Sequence, residues 1–485
     1  MSITQPTSET KGLYGGWRRS RTLGIGHLTT GQTIIVVGAI VTPVFIVNVG
    51  GGMASLVFTL PIALVVMALA IWQRHGMPLM TYVVGRARWK LAAMRSETSY
   101  RSVFLPAPES LDLPGMAAPT RLIRAEAADG RGPVGLVWNQ RTGTMTATLL
   151  LSPAGSLLAA GSTVSQSVAS WGDVLARFAD EDAVQGVTVT LQVTPSSGAA
   201  LSDHVRDRLD PRAPQLAKDA MRELVGRAPR ASASLAAWLS LVVDPRKAPE
   251  PADDPAQAAA VTLGALGALD MGGSGADVLR TATDTDIKRI VRGAFNPADM
   301  DAPADQIDEL VWHEVGPVAA EDDWLVYRHD GAFSVSYVLR EAPRRPVPYD
   351  VLLKLLAPGQ FTRRITLGYR VLPTDEAAAV VEREVNASDA RAEYRKRTQR
   401  TTTRRERVDA ENAERTATEE AIGAGMVQWS VYVTATVERE EDIPAARREL
   451  EKAAKSSGGL RFRPAYGGQA AALVVGLPIG INPLV

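Results

Sequence analysis

Five histidines carry most of the chemistry this chain could do near neutral pH: His27, His75, His204, His313 and His329. No two of them stand at metal-ligand spacing, and the chain has no cysteine, so thiolate ligands, disulfides and a cysteine nucleophile are excluded. His329-Asp330 has the makings of an acid–base pair, but His329-Asp330-Gly331 reads first as an exposed hairpin turn. The acidic pairs Asp253-Asp254 and Asp322-Asp323 suit loops or helix starts. A phosphate-cradling loop needs a lysine after its glycines; Gly272-Gly273-Ser274-Gly275 has none and reads as a turn. There is no Gly-x-Ser-x-Gly nucleophile elbow. The expectation is a protein without enzymatic activity, catalytic residues, metal or cofactor.

The densest polar chemistry lies between 381 and 420, where twenty of forty residues are charged. Its middle is basic: Arg391, Arg395, Lys396, Arg397, Arg400, Arg404, Arg405 and Arg407 stand against Glu393 and Glu406. Thr401-Thr402-Thr403 interrupts helix propensity and suits the bend of a long helical hairpin near 375–424. Such a hairpin is either a solvated, salt-bridged structure or an electrostatic contact for DNA, lipid headgroups or an acidic partner. Tyr394 is the one aromatic nearby, so the interleaving that single-strand binding uses is missing.

The opposite kind of sequence marks the N-terminus. From Thr22 to Gln73, fifty-two residues pass without an Asp, Glu, Lys or Arg. Two apolar runs, Gln32 to Val49 and Met53 to Trp72, are split by Gly50-Gly51-Gly52. At about 1.5 Å per residue each run can cross a bilayer core of roughly 30 Å, and the glycines suit a tight turn. Both flanks are basic. Lys11, Arg18, Arg19 and Arg21 precede the runs, and Arg74, Arg86, Arg88, Lys90, Arg95 and Arg101 follow them. The positive-inside rule then predicts a multi-pass membrane protein with both termini cytoplasmic. Trp17, Trp72 and Trp89, with Arg18, Arg19, Arg21, Arg74, Arg86 and Arg88, are the candidate membrane-interface residues.

Net charge is zero, 53 basic against 53 acidic residues, so no global field draws the chain to nucleic acid. The Arg, Ala and Gly bias suits a high-GC bacterial genome. About 400 residues follow the anchor, enough for two or three domains. The expected class is α+β: a transmembrane helical hairpin, then cytoplasmic α/β modules of ferredoxin-like type and the charged hairpin. The expected boundaries are a basic segment at 1–31, the anchor at 32–72, a basic juxtamembrane segment and linker at 73–120, and modules at 121–300 and 301–485. Strands are expected at Leu122–Ala127, Val134–Trp138, Met145–Leu151, Val187–Val193, Ser232–Val243, Ala276–Arg280, Trp324–Tyr327, Phe333–Leu339, Arg364–Leu372, Gln428–Val437 and Leu460–Arg463. Helices are expected at Thr163–Phe178, Pro214–Val225, Ala256–Leu269, Thr285–Phe295, Asp350–Leu356 and Ile443–Ala454, and Thr283 with Asp286 has capping-box spacing. Ser232–Val243 with Ala276–Arg280 and Gln428–Val437 with Leu460–Arg463 read as two split β-α-β halves.

Several short motifs together resemble a known family. Tyr14-Gly15-Gly16-Trp17-Arg18-Arg19 leads into the two-helix anchor, and Val84-Gly85-Arg86-Ala87-Arg88-Trp89 follows it. Trp171-Gly172-Asp173, Gly316-Pro317 with Trp324, His329-Asp330-Gly331, Pro343-Arg344 and Leu477-Pro478 continue the series. The chain resembles actinobacterial membrane proteins of type IV secretion and conjugation systems, in which a short PrgI-type membrane subunit is joined to the N-terminal half of a CagE/TrbE-type conjugative ATPase. In those ATPases the motor would begin after about Pro478, whereas this sequence stops at Val485. The resemblance therefore implies a scaffold that docks a separate ATPase and other channel subunits, contacts lipid and associates with copies of itself. The alternatives are a type VII secretion membrane subunit and a membrane-tethered DNA-binding protein.

Overall fold

The structure is a computed structural model. It describes residues 13–14, 30–74, 77–102, 113–127, 132–155, 160–195, 205, 208–210, 212–227, 233–341, 347–373, 376–380, 382 and 426–484. The chain divides into two compact units, residues 17–99 and residues 1–16 with 100–485.

The smaller unit is helical. Helix α1 (Thr30–Ile46) continues through a π-turn at Val47–Gly51, and α2 (Leu56–Ile71) follows a short turn at Met53–Ser55. Gly52, at φ 59°, reverses the chain between them, where a side chain would be strained. Both apolar segments, Gly31–Val49 and Met53–Ile71, are 19 residues long and carry a mean hydropathy of 2.1 and 2.5. They are long and apolar enough to cross a membrane. Their polar side chains bond back to their own helix: Thr42 donates to Gly38 O, Asn48 to Val44 O and Thr59 to Ser55 O. Gln32 ties the helices together through a 2.7 Å bond to Ala70 O. In hydrocarbon each of these groups needs such an internal acceptor. A third helix, α3 (Leu79–Met94), occupies part of the stretch read from sequence as a juxtamembrane segment. Its mixture of Arg, Lys and apolar residues has no clean helical stripe, which is why pattern alone missed it.

The larger unit is built on one antiparallel sheet. Among its strands are β1 (Thr120–Glu126), β2 (Pro133–Asn139), β3 (Thr144–Pro153), β4 (Val184–Pro195), β5 (Ala233–Val243), β6 (Ala276–Thr281), β7 (Ala319–Asp322), β8 (Tyr327–His329), β9 (Ala332–Glu341), β10 (Thr362–Val371), β11 (Val427–Val437) and β12 (Arg461–Pro464). Along the sheet they run β7-β8-β9-β11-β10-β4-β5-β3-β2-β1, with β6 beside β3 and β12 beside β9. Among its helices are α4 (Gly161–Ala179), α5 (Gln215–Arg227), α6 (Pro255–Gly267), α7 (Asp284–Phe295), α8 (Leu353–Leu356), α9 (Ile443–Ser456) and α10 (Gln469–Val474).

The connectivity repeats. The run β3-α4-β4-β5-α6-β6 makes the strand order β6-β3-β5-β4, and β9-α8-β10-β11-α9-β12 makes β12-β9-β11-β10. In each half a hairpin precedes the run. The registers correspond as well: Thr148 faces Ser240 in the first half, and Ser336 faces Thr434 in the second. The halves meet where β4 pairs antiparallel with β10, Thr190 opposite Thr366. The sheet therefore passes without a break from the first predicted module into the second.

Alternation sorts the side chains. On one face of the first half, Met145, Ala147, Leu149, Leu239 and Leu241 pack under α4 and α6. On the same face of the second, Val335, Ile365, Val431, Val433 and Ala435 pack under α8 and α9. Two stretches differ from expectation. The strand placed at Trp324–Tyr327 begins only at Tyr327, as β8, an additional strand β7 precedes it, and Trp324 lies in the bend between the two, stacked on Tyr466 with ring centroids 5.5 Å apart. The proline-rich stretch before β1 is also more than a linker, because Leu113 and Ala117 are fully buried in the core.

The C-terminal segment crosses the opposite face with little room to spare. Gly480 has φ +72° and lies so close to Thr146 that an added Cβ would strike its hydroxyl. Gly480→Ala should therefore destabilise the protein by about 2–4 kcal/mol, from left-handed strain plus overpacking. Gly264→Ala in α6 meets nothing within 4 Å and should stabilise by up to about 1 kcal/mol. Urea unfolding of the detergent-solubilised protein measures both.

Candidate functional site

The face of the sheet opposite α4, α6, α8 and α9 is polar and buried. Thr146, Thr148, Thr190, Ser240, Ser334, Ser336, Thr366, Thr434 and Thr436 are each at most 6% exposed. They come from the same alternation that puts Met, Leu and Val on the helix side. Over them lie α7 and residues 472–481, contributing Ile287, Val291, Phe295, Leu473, Leu477 and Ile479. Helix α7 is held at its start by the expected capping box between Thr283 and Asp286. It lies close to the sheet because Gly135 has no side chain; a Cβ there would sit 2.7 Å from Asp284 N.

Hydroxyls in so dry a place need partners. They find them across the strands: Thr148 with Ser240 at 2.9 Å, Ser336 with Thr434 at 2.8 Å, Ser334 with Thr436 at 2.9 Å, and Thr190 with Thr366 at 2.9 Å. Backbone groups left between β8 and β12 are met by a side chain. The Gln469 amide accepts from Ser336 N at 2.6 Å and donates to Ser336 O at 3.3 Å, as a peptide group of another strand would. Ala465 N also donates to Ser336 O at 3.0 Å, and in the other half Ala282 N donates to Thr148 O at 2.8 Å.

His329 belongs to this network. It is 1% exposed, so the expected exposed turn is corrected: the turn is at Asp330, with φ 44°, while the imidazole points inward. Its Nδ1 lies 2.6 Å from Phe295 O, which can only accept, so Nδ1 carries the proton and Nε2 accepts from Ser334 Oγ at 2.8 Å. Asp330 takes no part. Its carboxylate accepts from Val318 N at 2.7 Å and stands 3.6 Å from Arg292. The pair is thus no acid–base dyad. Burial pushes the His329 pKa down to about 4, outweighing the bond to Phe295 O.

Two adjacent arginines divide between the faces. Arg363 turns to the helix side, donates to Leu355 O at 2.7 Å and pairs with Glu449. Arg364 turns to the polar side, where it is 3% exposed and donates from Nε to Gln192 Oε1 at 2.7 Å. Burial lowers its pKa to about 10. Sequence reading missed this cluster altogether. Its signal was present in the Thr and Ser at alternate positions of β3, β4, β5, β9, β10 and β11, but alternation alone reads as a solvated face.

The predicted interface residues fall elsewhere. Trp72 caps the end of α2 and is 69% exposed. On α3 the Arg86 guanidinium lies 4.5 Å over the Trp89 ring, and Arg88 is exposed. For Arg74 the backbone alone is described, in a two-residue pairing with Met77. Trp17, Arg18, Arg19 and Arg21, and the basic residues Arg391, Arg395, Lys396, Arg397, Arg400, Arg404, Arg405 and Arg407, lie outside the described residues, as do His27, His75 and His204. Among the described residues no three His, Asp or Glu gather as a metal site would require. No protein family matches the chain, and no curated protein is significantly similar to it.

The network makes stability depend on pH. His329 binds its proton less readily in the folded state than at the ordinary 6.5, so its contribution is present above that value and is lost as pH falls toward 4. Asp322, raised to about 6 by burial, works in the opposite direction over the same range. Comparison with His329→Gln removes the shared Asp322 effect. The wild type should lose up to about 3 kcal/mol more than the variant between pH 7 and 4 in urea unfolding.

Proposed function

We propose that this chain is a non-enzymatic, membrane-anchored scaffold subunit of a bacterial type IV-like secretion or conjugation apparatus. Its two apolar helices form a transmembrane hairpin in the inner membrane, with both termini cytoplasmic. The two halves of the sheet are cytoplasmic modules of ferredoxin-like type, supported by the repeated β-α-β-β-α-β order. The body docks a separate ATPase, other channel subunits and copies of itself. The charged sequence near 375–424 offers its basic residues to a partner.

One observation carries the reading: a two-helix apolar anchor is joined in one chain to a large sheet whose interior is committed to holding itself together. The polar constellation with the most chemical potential, His329-Ser334-Thr436, is at most 6% exposed, so substrate has no route to it. What such a body offers a membrane is surface. The basic flanks at Arg18, Arg19 and Arg21 and at Arg86 and Arg88 support the orientation.

Affinity purification of the full chain from its native membrane in mild detergent tests the reading. A secretion ATPase or channel subunits should co-purify, and weakening the Arg395, Lys396 and Arg397 charges together should reduce that recovery several-fold. Recovery of a type VII ATPase instead, or of nucleic acid lost with rising salt, would replace the reading with the corresponding alternative. Recovery of the chain alone under every condition would reject it.

A further inference from the structure

Helix α5 is amphipathic, and its apolar side faces outward. Leu216, Ala217, Ala220, Met221 and Leu224 fall at i, i+1, i+4, i+5 and i+8, one continuous half of the helix. The three large side chains of that half are 83%, 40% and 62% exposed, for Leu216, Met221 and Leu224. Lys218 and Val225, at the edge of that half, are the half-buried positions. This inverts the usual arrangement, in which a surface helix turns its apolar stripe to the core.

We propose that α5 lies on an anionic bilayer surface, with Leu216, Met221 and Leu224 inserted at the level between headgroups and acyl chains. Three properties favour lipid as the occupant. The apolar surface is the convex side of a single helix about 20 Å long, which a fluid interface covers without a shaped partner. Arg212, Lys218, Arg222 and Arg227 outnumber Asp219 and Glu223 along the segment, giving it an excess of cations for acidic headgroups. The chain also carries its own pair of bilayer-length helices, which raises the effective concentration of membrane at every other part of the molecule. The inference rests in this last respect on the membrane anchoring proposed above. The remote segment would then brace the body against the membrane as a second attachment.

The absence of cysteine allows a direct test on the full chain. Leu224→Cys, Asp219→Cys and Ile62→Cys are each labelled with an environment-sensitive fluorophore and reconstituted into mixed phosphatidylglycerol–phosphatidylcholine vesicles. Aqueous iodide and a lipid carrying a shallow nitroxide are the two quenchers. The label at Leu224 should emit to the blue of the one at Asp219, on the opposite side of the helix, be quenched several-fold less by iodide, and be quenched by the nitroxide lipid. Replacing phosphatidylglycerol with phosphatidylcholine should reverse part of each effect. Equal iodide quenching at 219 and 224 would overturn the proposal, since α5 would then be in water. Protection from both quenchers would overturn it equally, since protein would be covering the helix. The Ile62 label reports on α2 separately: without lipid quenching there the anchor itself fails, whereas lipid quenching at 62 and none at 224 rejects the α5 contact alone.

Discussion

The larger unit depends on one constraint: both faces of its sheet are buried, yet one face is lined by hydroxyls. Burying an unpaired hydroxyl costs about 1–3 kcal/mol, so the face is tolerable only if the hydroxyls pair with one another. Thr148 with Ser240, Ser336 with Thr434, and Thr190 with Thr366 meet that condition because each pair sits directly opposite in the strand register. A slip of one residue would turn these groups into the helix-side core and bring Leu and Val to the polar side. The hydroxyl ladder thus selects a register that apolar packing alone specifies less sharply, since Ala, Val and Leu tolerate exchange better than paired donors and acceptors do.

The cover over this face answers the same constraint. Where the β9 edge runs out of strand partners, Gln469 supplies an amide with the donor and acceptor of a peptide group. Where α7 ends, its Phe295 carbonyl receives the His329 N–H, so that a helix terminus and a sheet share one hydrogen-bonded chain through Ser334 to Thr436. Gly480 lets the C-terminal segment pass close enough to Thr146 to exclude water. Arg364 is the extreme case, a buried cation whose Nε leans on the neutral amide of Gln192, and its lowered pKa records the desolvation. The apolar clusters supply the driving force, and these polar contacts determine where each piece of the cover can settle.

The strands were readable in the sequence wherever period-two alternation was strong. Val187–Val193, Ser232–Val243 and Gln428–Val437 were expected within a few residues of β4, β5 and β11, and the Thr283–Asp286 cap marked the start of α7. What alternation could not tell was whether the Ser and Thr side faced water, because burial of that side depends on a segment more than 100 residues away from most of the strands it covers. His329 was misread for the same reason: His-Asp-Gly is turn chemistry, and only the α7 carbonyl above it makes the ring an interior group. Helix α3 escaped because its basic residues break the apolar stripe, and β7 because four residues are too few to establish a period.

The two halves of the sheet share their buried framework and differ in what they carry. In the first, residues 196–232 join β4 to β5 and contain α5; in the second, residues 372–426 join β10 to β11 and contain the strongly charged sequence. Because β4 and β10 pair antiparallel, with Val193 beside Arg363, these connections leave the sheet at opposite ends. One is amphipathic with an outward apolar side, and the other is among the most charged parts of the chain. The repeated core thus sends chemically unlike sequences out at its two ends, although its buried faces are built alike. On the reading proposed above, the amphipathic helix would meet lipid and the arginine-rich sequence an acidic partner.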